Sequence, residues 1–245
     1  MRFRYFLSLA ACVVCSSTFA KPYVSGEIVS QESYKYGRYE ARMKAGWGSG
    51  TITAFFLMKD GSWLPGTEWQ ELDFEIFGKG DGTRFQSQIM TPGDPRTQNN
   101  EYHRSETTLD ENYHVYTIDW APDYLAFYLD GQLMRYETDT ETYNKFFDAN
   151  RVEPMQLRLT YWAGDSAWSG RLDTSSLPSY VEVDWIKRYR WDNGEFVLDW
   201  VDEFDSFDYS RWTKAAWTFE YAVNDFTPES TFTLDSKLFL RLAPR

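Results

Sequence analysis

A β-sandwich or barrel of antiparallel strands is the fold class this sequence predicts, on three observations. Short runs rich in Val, Ile, Thr and aromatic residues recur along nearly the whole chain, and turn dipeptides such as Asp60-Gly61, Asp130-Gly131 and Asn193-Gly194 punctuate them. Apolar residues at helical spacing are almost absent, leaving Thr140 to Ala149 as the one expected short helix. A chain of 245 residues is long enough to bury a single large core. No repeat, low-complexity stretch or long linker divides residues 21–245, which therefore read as one domain.

The first element is not part of that fold. Met1-Arg2-Phe3-Arg4 is basic, Tyr5 to Cys15 is an almost unbroken apolar run, and Thr18-Phe19-Ala20 ends it on a small residue. Residues 1–20 thus have the make-up of a secretory signal peptide, which implies a secreted or periplasmic protein. The apolar run stops short of the roughly 20 residues a membrane span needs. Leu9-Ala10-Ala11-Cys12 offers an alternative in which Cys12 carries lipid. Cleavage after Ala20 removes both cysteines, so the mature chain must be held by its core without disulfides. Cysteine nucleophiles, thiolate zinc sites and redox chemistry are excluded with them. His103 and His114 are too few for a multi-histidine metal site and read as structural.

The expected strands then run Tyr34 to Lys44, Thr51 to Met58, Trp69 to Phe77, Tyr113 to Trp120, Tyr124 to Asp130 and Gln132 to Glu137. Met155 to Trp162, Val181 to Trp191, Phe196 to Val201 and Phe232 to Leu242 complete them, with Trp185 and Trp200 assigned to the core. The charge balance narrows the partners. Net charge is −12, and loss of Arg2 and Arg4 takes it to −14, which disfavours nucleic acid and anionic membranes as partners.

The most informative segment is Trp69-Gln70-Glu71-Leu72-Asp73-Phe74-Glu75-Ile76-Phe77. In a strand, Glu71, Asp73 and Glu75 share one face while Leu72, Phe74 and Ile76 share the other. A solvated face normally mixes charge signs, because like charges side by side repel. Carboxylates crowded in this way suit glycoside cleavage, which needs one carboxyl protonated and another ionised. In a regular strand the Glu71 and Glu75 backbones lie about 13 Å apart, so only side chains leaning together on a curved sheet approach the roughly 5 Å of a retaining pair.

Glu71-Leu72-Asp73-Phe74-Glu75, preceded by Trp69 and followed by Gly78-Lys79, resembles the active-site signature of glycoside hydrolase family 16, the secreted β-glucanases. Tyr113 to Tyr124, Tyr128-Leu129-Asp130-Gly131 and Gly37 to Lys44 are similar to neighbouring strands of that family. Segments resembling the family's beginning, including Glu203-Phe204-Asp205-Ser206-Phe207-Asp208 and Ser210-Arg211-Trp212, stand last here. That order resembles the naturally circularly permuted 1,3-1,4-β-glucanases (lichenases), with Asn193-Gly194 joining the old ends.

The resemblance implies a jelly-roll sandwich of two antiparallel sheets with a glycan cleft on the concave one. It implies Glu71 as nucleophile, Glu75 as general acid/base and Asp73 as the residue that tunes them. Phe56, Trp69, Gln86, Gln88, Arg158, Thr160, Trp162, Trp168 and Trp217 fall at substrate-contact positions. Met58, Gln88 and Thr160 depart from the expected Tyr, Asn and Asn, which bears on preference for lichenan. Asp184 matches a calcium ligand, so structural calcium is an expectation, while the chemistry itself requires no cofactor. The implied protein is a monomer that cleaves a polysaccharide internally. The competing readings are a non-catalytic carbohydrate-binding protein and the same chemistry on another polysaccharide.

Overall fold

Alternation along the strands sorts side chains between one shared core and two outer faces, and this builds a sandwich. The computed structural model describes residues 20–91, 97–140 and 143–245. All but the last residue of the expected signal peptide, with Cys12, lies outside the described residues. Seventeen strands occur among the described residues. They are β1 (Tyr23–Ser25), β2 (Glu27–Tyr34), β3 (Gly37–Lys44), β4 (Thr51–Met58), β5 (Glu71–Phe77), β6 (Arg84–Thr91), β7 (Thr97–Arg104), β8 (His114–Trp120) and β9 (Tyr124–Leu129). After these come β10 (Gln132–Thr138), β11 (Met155–Ala163), β12 (Ser179–Asp192), β13 (Glu195–Asp202), β14 (Trp212–Lys214), β15 (Asn224–Phe226), β16 (Thr231–Thr233) and β17 (Leu238–Pro244).

One sheet is antiparallel in the order β14-β2-β11-β4-β5-β6-β7. The other runs β10-β9-β8-β3-β12-β17-β1-β15, with β13 on β12 and β16 on β17. Its one parallel pair is β1 with β15. The core lies between the sheets. Leu72, Phe74 and Ile76 of β5 are at most 1% exposed, and the Phe74 ring meets Phe85, Tyr116 and Phe127 at centroid distances of 5.4 to 5.8 Å. From the facing sheet Tyr39, Ala41 and Met43 of β3 enter the same core.

Several local expectations are corrected. Thr140 to Ala149 holds only a four-residue helix, α1 (Asn144–Phe147). Asp60-Gly61 opens a long loop between β4 and β5 instead of a two-residue hairpin turn. Phe232 to Leu242 is two strands, because Asp235 and Ser236 both take positive φ (50° and 52°) and reverse the chain. β13 and β17 do not pair with each other. They lie end to end along β12, β17 on Ser179 to Val183 and β13 on Ile186 to Asp192. Asn193-Gly194 does form the expected tight turn, with φ of 48° and 96°. Strands β2, β6 and β7 were not expected at all.

Trp200 packs against the core beside Trp212, as expected. Trp185 does not. A bulge between Val183 and Trp185 turns Asp184 and Trp185 outward with Arg42, and the Lys187 ammonium sits 4.0 Å from the indole centroid. The Asp184 carboxylate is engaged by the Arg42 guanidinium, and among the described residues no group of three His, Cys, Asp or Glu side chains could hold a metal.

Candidate active site

The seven-stranded sheet puts its polar side chains on the face away from the core, and register aligns them in rows. Met58, Glu71 and Met90 form one row; Arg158, Phe56, Asp73 and Gln88 the next; Thr160, Ala54, Glu75 and Gln86 the third. Glu71, Asp73 and Glu75 therefore share one face, opposite Leu72, Phe74 and Ile76, as the alternation requires. Phe56, Gln86, Gln88, Arg158, Thr160 and Trp162 are brought to the same face by their register on β4, β6 and β11. Trp69, Trp168 and Trp217 reach it from loops.

Each carboxyl group has a different environment. Glu71 accepts a hydrogen bond of 2.6 Å from the Trp69 indole N–H. Asp73 is 1% exposed and accepts a 3.1 Å bond from the Gln88 amide, whose own oxygen takes a 2.5 Å bond from Gln98. The Gln98 contact thus fixes which end of Gln88 faces Asp73. Burial and then the charges of Glu71 and Glu75 push the Asp73 carboxyl well above the usual carboxylate range, against the opposing pull of Gln88 and Arg135. The Glu75 carboxyl is also pushed well up, first by burial and then by Glu71. Asp73 Oδ1 and Glu75 Oε2 are buried with no hydrogen-bond partner. Two buried carboxyl oxygens thus face the same polar surface as Glu71 without a partner of their own.

The flanks are aromatic. Trp162 and Trp168 stack at 5.9 Å and 24°, and the Trp168 N–H donates to Gln86 at 3.2 Å. Trp69 packs on a patch of Ala54, Phe56 and Met58. On the β2 side, Arg158 lies 3.5 Å from Glu27, and burial raises the Glu27 carboxyl to about 8 even against that neighbour. Glu27, Trp63 and Gln98 belong to this face and escaped the sequence reading. Glu27 and Gln98 lie on strands not recognised as strands, and Trp63 sits in a Gly- and Pro-containing loop that resembles ordinary surface. Of the histidines, His103 meets Ser87 at 2.8 Å and His114 bonds Asp130 at 2.6 Å.

A three-carboxyl strand face with indoles on both sides suits the cleavage of a sugar polymer, and comparison with known proteins gives the lineage. The model for glycosyl hydrolases family 16 matches residues 11–187. The chain belongs to glycosyl hydrolase family 16. Within the family it is similar to a beta-glucanase of Fibrobacter succinogenes, with 34% identity over 96% of this chain and 68% of that protein. A beta-glucanase of Brevibacillus brevis is 30% identical over 70% of this chain and 62% of its own length. The chain thus spans about two thirds of the length of these curated relatives. Among solved structures, the Bacillus licheniformis beta-glucanase superposes with a TM-score of 0.56 at 26% identity, covering 69% of this chain and 78% of that one. Membership of family 16 and its beta-glucanase relatives support a glycoside hydrolase acting on β-glucan, on an all-β, jelly-roll sandwich.

Proposed function

We propose that the protein is a secreted, monomeric endo-β-glucanase that cleaves mixed-linked 1,3-1,4-β-glucan by retaining double displacement. The observation that carries this reading is the division of labour on β5: Glu71 is held by an indole N–H, while burial and the neighbouring Glu71 push the Glu75 carboxyl well above the usual carboxylate range. In the first step the Glu71 carboxylate attacks the anomeric carbon, the glycosidic C–O bond breaks, and the Glu75 proton passes to the leaving oxygen. In the second step Glu75, now ionised, takes a proton from water as that water displaces Glu71 from the same carbon. Asp73, buried between them, limits how much negative charge the strand face carries at once.

The open face, crossed by several strands and lined by Trp162, Trp168 and Trp217, supports internal cleavage, since a chain can lie across it. Circular permutation has two supports. The family match stops at residue 187, and the ends of the described fold adjoin, with Arg245 N–H donating to Pro22 O at 2.9 Å and β1 paired to β17. The single continuous core, with members from Ile28 to Leu242, supports one catalytic domain over residues 21–245. The proton NMR spectrum of the first product from a mixed-linked β-glucan tests the mechanism. A newly formed β-anomer is the expected result, and an initial α-anomer overturns double displacement. Failure on every β-glucan together with cleavage of another polysaccharide overturns the substrate.

A further inference from the structure

Trp63, in the loop between β4 and β5, is 49% exposed, and Trp217, in the loop after β14, is 39% exposed. Although their loops leave opposite ends of the seven-stranded sheet, the two rings stack at 6.2 Å and 22°. Trp217 is backed by Phe219 and Phe226 at 5.9 and 5.5 Å, whereas Trp63 projects from a loop containing Gly61, Pro65 and Gly66. Beneath the pair lies Arg158, its guanidinium 5.5 Å from the Trp63 ring centroid, 3.5 Å from Glu27 and 3.9 Å from Asp60. Arg158 is 4% exposed and Thr160 6%, yet Arg158 Nε and Thr160 Oγ1 have no hydrogen-bond partner. Unmatched buried polar atoms beneath exposed indoles provide what a sugar ring takes up, hydrogen bonds for its hydroxyls and a flat apolar face for its C–H groups.

Position relative to the trio gives the site its role. Glu27, Thr160, Ala54 and Glu75 lie in one register row across β2, β11, β4 and β5. Three strand spacings separate Glu75 from Glu27, about 14 Å. A glycan extending across the strands from Glu75 toward Glu27 therefore runs toward the two stacked indoles, whose contact bridges that side of the face. We propose that Trp63, stacked on the expected contact residue Trp217, closes the groove on its β2 side and sets how many sugar units are held on that side of the catalytic carboxylates. The proposal rests on the β-glucanase reading and adds the length of its substrate site.

The test is calorimetric titration of β-glucan oligosaccharides of increasing length into the Glu71→Gln protein, with and without Trp63→Ala or Trp63→Phe. In the parent, affinity rises with length and then levels. Trp63→Ala weakens binding about tenfold only for oligosaccharides long enough to reach the indoles, and affinity then climbs past the parent's plateau length because the wall is open. Trp63→Phe keeps the parent's plateau. An unchanged length dependence, or an equal loss at every length, overturns the proposal while leaving the β-glucanase reading intact. Absence of β-glucan binding by the parent overturns both.

Discussion

At the scale of single residues, the proposed function rests on three neighbouring carboxyl groups, each with its own surroundings. Glu71→Ala and Glu75→Ala should keep the fold and lower turnover by about 10²- to 10⁴-fold or more, measured by reducing-sugar release. With an aryl glycoside whose leaving group needs no proton, Glu75→Ala should lose much less in the first step, whereas Glu71→Ala should not recover. The same crowding bears on stability. Asp73 and Glu75 have folded-state pKa values raised above their ordinary 3.8 and 4.5. The folded state therefore binds more protons than the unfolded chain, and the stability these groups contribute is present below about pH 4 and lost as pH rises through their folded values. Glu75→Gln should accordingly raise the urea midpoint at pH 8 and leave it nearly unchanged at pH 4. An equal effect at both values would show that charge is not the cause.

At the scale of elements, the catalytic strand was legible because its two faces differ so sharply: acids alternate with Leu72, Phe74 and Ile76. β2, β6 and β7 were not, since segments such as Gln86-Ser87-Gln88 carry polar residues inward as well as outward. Ser87 is fully buried yet satisfied by His103, a long-range partner that no local pattern reveals. The end of the catalytic strand shows how tightly elements meet. A Cβ on Gly78 would stand 2.0 Å from Thr51 Oγ1 and 2.5 Å from Gly48 O, so the absence of a side chain here is a packing requirement. Gly78→Ala should cost about 1–3 kcal/mol in chemical denaturation, and adding Thr51→Ala, which removes the hydroxyl, should not fully relieve it, because the Gly48 backbone oxygen remains.

At the scale of the whole molecule, the last third of the chain is built into both sheets. β14 borders β2 in the catalytic sheet, while β13 and β17 extend the opposite sheet along β12. Trp217, although at the far end of the sequence from Trp63, completes the same groove. A chain reopened at Asn193-Gly194, with Arg245 joined to Lys21 by a short flexible linker, should fold to the same sandwich and retain activity. The new break falls in an exposed two-residue turn, and the joined ends already touch. Circular dichroism and turnover check this, and loss of the cooperative unfolding transition would show that the β12–β13 hairpin is needed to assemble the fold.

Alternation and turn chemistry are local, and they determined the all-β class, the polarity of β5 and the identity of its three carboxyl residues. Tertiary structure alone decided the rest, because proximity between distant segments has no local signature. Burial raises the Asp73 and Glu75 carboxyls together, Gln98 orients Gln88 through a neighbouring strand, a bulge turns Trp185 out of the core, and Trp63 meets Trp217 only because loops from opposite ends of one sheet are carried over the same face.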